Sequence, residues 1–227
     1  MNIDNFNWGN STQWFKDVIG DEIFKQRIYE RFFTVDENDI VFDAGSSIGV
    51  FGYTILDKKP KKIYCIEPSF EELETAKTNI PQEIGVFLNH GIANIDGETY
   101  LNDVYENGVQ KTENKVYKVS KFKTIIEQNN IEKIDFLKTD CEGGEYDIFN
   151  IENLIWLKEN MRKATGEWHL YRPEEKQKFR EFRDVFLRVF PNHKVYSVDG
   201  FDIKWDLWNE HFIEYYSQVI IYIDNRS

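Results

Sequence analysis

The sequence predicts an α/β fold: a mostly parallel seven-stranded sheet with an antiparallel last strand and helices on both faces. From Asp39 onward, short apolar runs alternate with amphipathic stretches, which is the sequence form of βαβ units. Two of these runs pass straight into glycine-containing turns, at Gly45 and at Gly143-Gly144. The chain then ends on two β-rich segments, 195–198 and 219–223, which fits a final antiparallel strand slipped into a parallel sheet.

The elements follow in order. Ahead of the sheet, Trp14, Phe15, Val18, Ile19, Phe24, Ile28 and Phe32 recur near helical spacing, with Ser11 or Thr12 as N-cap. Residues 1–36 therefore read as a helical extension and 37–227 as the main domain. The spacing favours a core role for Trp8, Trp14 and Phe15 over a lid. Residues 40–42 form the first strand and 48–56 its helix; 62–66 form the second strand. Ser69 and Glu72 form a capping-box pair that opens a helix ending before Pro81. Residues 86–88 make a third strand. Asp96-Gly97 turns into an excursion that returns at 115–119, and a helix over 121–129 leads to the fourth strand at 134–138. Residues 164–170 make the fifth strand. Pro173 suits the first turn of a helix whose apolar face carries Phe179, Phe182, Phe186 and Val189.

Composition narrows the function. The 227 residues are 41% hydrophobic and 16% aromatic, enough to close a full core. A net charge of −12 argues against a surface that neutralises phosphates, so no nucleic-acid partner is expected. Cys65 and Cys141 lack metal-ligand spacing and read as reduced thiols. The first residues carry neither the charge nor the apolar run of a secretory signal, and no stretch has the length of a membrane span. The expectation is a cytoplasmic protein without membrane contact, acting on a small molecule.

The most informative stretch is Val41-Phe42-Asp43-Ala44-Gly45-Ser46-Ser47-Ile48-Gly49, a strand running through a small-residue turn into a helix. Gly45 and Gly49 permit close approach, and the helix start directs N–H groups towards an anionic group. A dinucleotide fingerprint laid on Gly45 meets Ser47 and Val50 where it needs glycine. The amino-acid end of S-adenosylmethionine suits the loop better, with Asp43 near its ammonium group. Glu67 follows about twenty residues later, at the end of the second strand, where a carboxylate accepts ribose hydroxyl protons. Its neighbours Pro68 and Phe70 are placed to flank the adenine. A nicotinamide-dependent oxidoreductase and a noncatalytic Rossmann-like binding module remain as alternatives.

With Ile66-Glu67-Pro68 and Ile134-Asp135-Phe136-Leu137-Lys138-Thr139-Asp140-Cys141-Glu142-Gly143-Gly144-Glu145 added, the chain resembles the FkbM family of S-adenosylmethionine-dependent methyltransferases over roughly Asp39 to His169. The resemblance implies a Rossmann-like class I methyltransferase fold and O-methylation of a hydroxyl on a sugar, glycan precursor or other small metabolite. The family usually carries Asn where this chain has Ser47. Cofactor contacts are expected from Asp43, Gly45, Ser46, Ser47, Gly49, Glu67, Pro68 and Asp140.

A hydroxyl acceptor needs a base. Asp140, Glu142 and Glu145 after the fourth strand, and Glu167 and His169 on the fifth, are the candidates. His169 comes first because imidazole titrates near neutral pH and alternation places it beside Glu167. His169, Glu167 and Asp140 are thus the expected catalytic set. A divalent cation on the same three residues is the lesser alternative, and the favoured reading has no metal.

Overall fold

The computed structural model describes residues 2–101, 104–106, 109–111 and 115–226. Helix α1 (Gln13–Ile19) opens at Thr12, whose hydroxyl accepts the Phe15 N–H at 3.2 Å. The helical path then widens over Gly20–Lys25 and closes in a tight turn at Ile28–Glu30, after Arg27 takes a left-handed conformation. The extension is therefore a bent series of short helical pieces and not one rod.

The main body follows as β1 (Ile40–Ala44), α2 (Val50–Thr54), β2 (Lys62–Ile66), α3 (Phe70–Asn79) and β3 (Gly85–Leu88). The excursion comprises β4 (Gly91–Ile92), β5 (Gly97–Tyr100), β6 (Val104–Glu106), β7 (Val109–Lys111) and β8 (Val116–Ser120). The chain continues through α4 (Phe122–Gln128), β9 (Ile134–Thr139), α5 (Glu145–Ile148), α6 (Leu154–Asn160) and β10 (Met161–His169). It finishes with α7 (Pro173–Val189), β11 (His193–Ser197), α8 (Glu210–Tyr215) and β12 (Gln218–Asp224).

The large sheet has seven strands in the order β11-β12-β10-β9-β1-β2-β3. β12 runs antiparallel to both its neighbours, while β10, β9, β1, β2 and β3 are parallel. The expected sheet, with its antiparallel last strand, is the one found. Alternation along β1 sends Val41 to one core and Phe42 to the other. Phe42 joins Phe122, Trp168 and Phe182 on one face; Val41 joins Phe136, Tyr222 and the amino-terminal Phe6, Ile28 and Tyr29 on the other. The amino-terminal segment thus covers one face of the sheet and brings Tyr29 to its carboxyl edge.

Three local readings change. The Ser69–Glu72 capping box forms by half. The Ser69 hydroxyl accepts the Glu72 N–H, but the Ser69 N–H goes to Glu67 and the Glu72 carboxylate accepts from the Ser47 hydroxyl at 2.9 Å. Trp14 is 63% exposed and stands outside the core, whereas Trp8 and Phe15 pack against it. Helices α6 and α8 escaped the sequence reading because each buries a single residue, Leu157 and Ile213, and so writes no periodic pattern.

Candidate active site

A cavity of about 790 Å³ opens at the carboxyl ends of β1, β2, β9 and β10, within the size range of small-molecule sites. Gly45, Ser46, Ser47, Glu67, Pro68, Asp140, Glu167 and His169 all line it. Asp43 and Gly49 are not among its lining residues, nor is Phe70, which is exposed elsewhere.

The loop after β1 is clamped from both sides. The Gly45 N–H donates to the Ile66 carbonyl of β2, and the Asp140 N–H after β9 donates to the Ala44 carbonyl, each at 3.0 Å. Gly45 has a φ of +71°, and a Cβ there would stand 1.7 Å from the Asp140 carbonyl oxygen. Its glycine is required first by this packing against β9. Gly49, at φ +81°, opens α2 where a Cβ would crowd Ala76 of α3 and Ile80 just after it. Ser47 also takes a left-handed conformation, φ +46°, which a short polar side chain tolerates.

Glu67 is buried, and each of its oxygens accepts one backbone N–H at 2.9 Å, from Ser47 and from Ser69. A carboxylate offers about four lone-pair positions, so two acceptor positions remain for hydroxyl groups. Burial pushes its pKa up to about 8, against the two N–H bonds and nearby Lys138, which favour the charged form. An edge carboxylate with spare lone pairs, beside a glycine turn and a helix start, fits a nucleoside ribose and the amino-acid end of S-adenosylmethionine.

Asp43 lies wholly behind this surface. Lys138 Nζ stands 3.2 Å from its Oδ1 and also donates to the Gly45 carbonyl at 2.7 Å. Burial raises the Asp43 pKa; Lys138 opposes the rise. Burial also works against the Lys138 charge, yet Asp43 and Asp140 hold its pKa above the ordinary value. The expected contact from Asp43 to a bound ammonium group is thus replaced by an internal ion pair that braces β1 against β9.

The far wall is built from side chains of distant segments. The Tyr29 hydroxyl lies 2.9 Å from Asp140 Oδ2 and 3.2 Å from Glu167 Oε1, and Gln218 donates to Glu167 Oε2 at 2.8 Å. Burial and then the Asp140 charge push Glu167 up to about 8. Glu142, held at φ +50° in the turn after β9, is pushed to about 7, chiefly by burial.

His169 is buried at the end of β10. Its Nδ1–H donates to Glu145 Oε1 at 3.0 Å, and its Nε2 faces Glu142 Oε2 at 3.5 Å and Asp140 Oδ1 at 3.9 Å. Burial alone would lower its pKa. The carboxylates of Glu145, Glu142 and Asp140 outweigh burial and hold it well above the usual value.

Sequence reasoning missed Tyr29, Lys138 and His90, which also line the cavity. Lys138 had a signal, a lone cation inside an apolar strand. Tyr29 had none, because its partner Asp140 lies 111 residues away.

Strand order, glycine turn and edge carboxylate together define an S-adenosylmethionine-dependent methyltransferase domain. The family model described as Methyltransferase FkbM domain matches residues 43–197, and the chain belongs to that family. An uncharacterized protein of Methanocaldococcus jannaschii, MJ1452, is 39% identical over 92 residues, covering 39% of this chain and 33% of that protein. The chain thus matches about a third of that curated relative's length. Among solved structures, an rRNA methylase from Streptococcus thermophilus is similar at 10% identity and a TM-score of 0.48, covering 84% of this chain and 89% of that one. TYW2 of M. jannaschii in complex with AdoMet is similar at 12% identity and a TM-score of 0.41, covering 90% of this chain and 74% of that one. No helix among the described residues is long and apolar enough to cross a membrane.

Proposed function

We propose that this protein is a cytoplasmic O-methyltransferase that methylates a hydroxyl of a sugar, glycan precursor or similar small metabolite. The observation that carries the cofactor half is the Glu67 carboxylate, fixed by two backbone N–H groups with acceptor positions left over. Glu67 takes the ribose hydroxyls, with Pro68 beside the base. Gly45, Ser46 and Ser47 take the amino-acid end, with Asp140 near its ammonium group. Asp43 and Gly49 support the loop from behind. When bound, the cofactor supplies an electrophilic methyl group on a sulfonium.

Asp140, Glu167 and His169 receive the acceptor. Glu167, held by Tyr29 and Gln218 with no cation paired to it among the described residues, is raised to about 8 and takes the hydroxyl proton. His169, its Nδ1–H held by Glu145, turns Nε2 towards Asp140 and Glu142. With the cofactor bound, its sulfonium would supply the methyl group to the acceptor oxygen, and Glu167 would hold the proton that oxygen gives up. The exposed rings of Trp14, Tyr100 and Tyr171 line the cavity and suit the C–H faces of a sugar. The acidic wall disfavours a polyanionic acceptor.

Calorimetric titration with S-adenosylmethionine and, separately, NAD tests the cofactor half. Saturable binding of the first alone is expected. Glu67→Ala should weaken it about 10- to 100-fold, as hydrogen bonds to a charged acceptor contribute about 1.5–3 kcal/mol each. Wild-type affinity in that variant, or tight binding of NAD, would overturn the assignment. A panel of hydroxylated sugars with labelled cofactor then tests the acceptor class.

A further inference from the structure

The acceptor wall holds a second feature that methyl transfer does not by itself require. Asp140, Glu142 and His169 each direct one ligand-type atom, two carboxylate oxygens and an imidazole nitrogen, to a common region where all three lie within 4.8 Å of one another. His169 is 2% exposed, and its Nε2 makes no hydrogen bond among the described residues. The opposite nitrogen is committed. Nδ1–H donates to Glu145, which is itself fully buried and fixed by the backbone N–H groups of Gly143 at 2.9 Å and His169 at 2.8 Å. A carboxylate can only accept, so this contact settles which tautomer a neutral ring adopts and leaves the Nε2 lone pair aimed between two carboxylates. A carboxylate–histidine pair of this kind is how proteins orient an imidazole towards a metal ion.

The remaining contacts keep the pocket open towards the cavity. Asp140 Oδ2 is engaged by Tyr29 and faces Lys138, so it is Oδ1 that turns to His169. Glu167 is held by Tyr29 and Gln218 and stands outside the set, in contrast to the ligand trio that the sequence suggests. We propose that Asp140, Glu142 and His169 form a divalent-cation site on the acceptor side of the cavity, with Glu145 as the residue that positions the imidazole. Two carboxylates and one imidazole suit an ion of the Mg²⁺–Mn²⁺–Fe²⁺ group, and three protein ligands leave coordination positions for oxygens of the acceptor. Such an ion polarises a bound hydroxyl and lets a neighbouring carboxylate take its proton more readily. Only this last role rests on the methyltransferase reading; the binding does not.

The test uses Mn²⁺ and the full chain, near neutral pH, reading the loss of the aqueous ion's paramagnetic resonance signal. One bound ion per chain is expected, competed by Mg²⁺. Glu142→Gln and Asp140→Asn should each weaken binding at least tenfold, and Glu145→Gln about 10- to 100-fold through the imidazole it orients. Glu127→Gln, on an exposed helix face, should change nothing. Thermal melts confirm that each variant is folded, and the conservative shapes of Glu142→Gln and Asp140→Asn guard against collapse of the wall. An undiminished Mn²⁺ signal at millimolar ion, or equal binding in Asp140→Asn, Glu142→Gln and wild type, would overturn the site. S-adenosylmethionine titration of the same samples separates the two readings. Cofactor binding without Mn²⁺ binding removes the ion alone, and Mn²⁺ binding without cofactor binding removes the cofactor assignment alone.

Discussion

The two walls of the cavity are made in opposite ways. The cofactor wall is local: its loop follows β1 directly, its carboxylate ends β2, and backbone N–H groups hold that carboxylate. The acceptor wall is assembled from β9, β10, β12 and the amino-terminal segment, and Asp140, Glu167 and His169 meet their partners there through side chains. Backbone placement tolerates many substitutions as long as the chain path survives. Side-chain placement fails one residue at a time. Disturbing the chain path should therefore cost the cofactor wall far more than trimming any one side chain costs the acceptor wall.

The largest effect is expected at Gly45. Its φ of +71° and the 1.7 Å approach of a Cβ to the Asp140 carbonyl oxygen leave no room for alanine without moving β9 away from β1. Gly45→Ala should destabilise the fold by about 3 kcal/mol or more. In a chain of this size that lowers the melting temperature by roughly 6–12 °C. Differential scanning calorimetry reads it directly. An unchanged melting temperature would show that the loop is not clamped, and with it the account of the cofactor wall would fall.

A smaller effect should appear in the pH dependence of cofactor binding. Glu67 is raised to about 8, with burial as the main cause, and it faces the N–H groups of Ser47 and Ser69, the Glu72 carboxylate and, farther off, Lys138. Below that value the carboxyl is protonated, and above it the ionised form accepts hydroxyl protons without having to lose its own first. S-adenosylmethionine affinity should rise about tenfold between pH 7 and pH 9, because only about a tenth of the groups are ionised at pH 7. Glu67→Gln should flatten the profile, which separates this titration from that of the cofactor's own amine. The sign reverses for stability. A carboxyl raised on folding disfavours the folded state progressively from its unfolded pKa up to about 8, so the unliganded protein should lose stability over the range in which it gains affinity.

The same contrast explains what the sequence disclosed. The seven-stranded sheet, the antiparallel β12 and the glycine turn are written in short windows of residue type and period, and they were legible. His169, Glu167 and Asp140 were legible as neighbours, since they sit at the ends of adjacent strands. Their partners were not, because Tyr29, Glu145 and Gln218 reach them from other segments of the chain. Asp43 looked like a ligand contact by position, and only the burial of Lys138 against it reveals an internal pair. Trp14 matched a core period, yet it is exposed and lines the cavity instead.

Tyr29 is where the acceptor wall can be probed alone. Its hydroxyl has one proton to give and two carboxylates within reach, Asp140 at 2.9 Å and Glu167 at 3.2 Å. It therefore sets the spacing of the pair without contributing charge. Burial and the two carboxylates raise the Tyr29 pKa well above the ordinary phenol value, so it remains a neutral donor through the working range. Tyr29→Phe keeps the ring, and with it the edge contact to Phe51 at 5.8 Å and the position beneath Lys138, but removes the donor. Loss of one such hydrogen bond costs about 1 kcal/mol. Turnover at saturating acceptor should fall roughly fivefold, with S-adenosylmethionine affinity unchanged and the melting temperature little moved. A purely structural role for Tyr29 would lower stability and both binding steps together. A fall in kcat confined to the acceptor step identifies Tyr29 as a positioning residue, supplied to the catalytic edge by a segment that precedes the sheet in sequence.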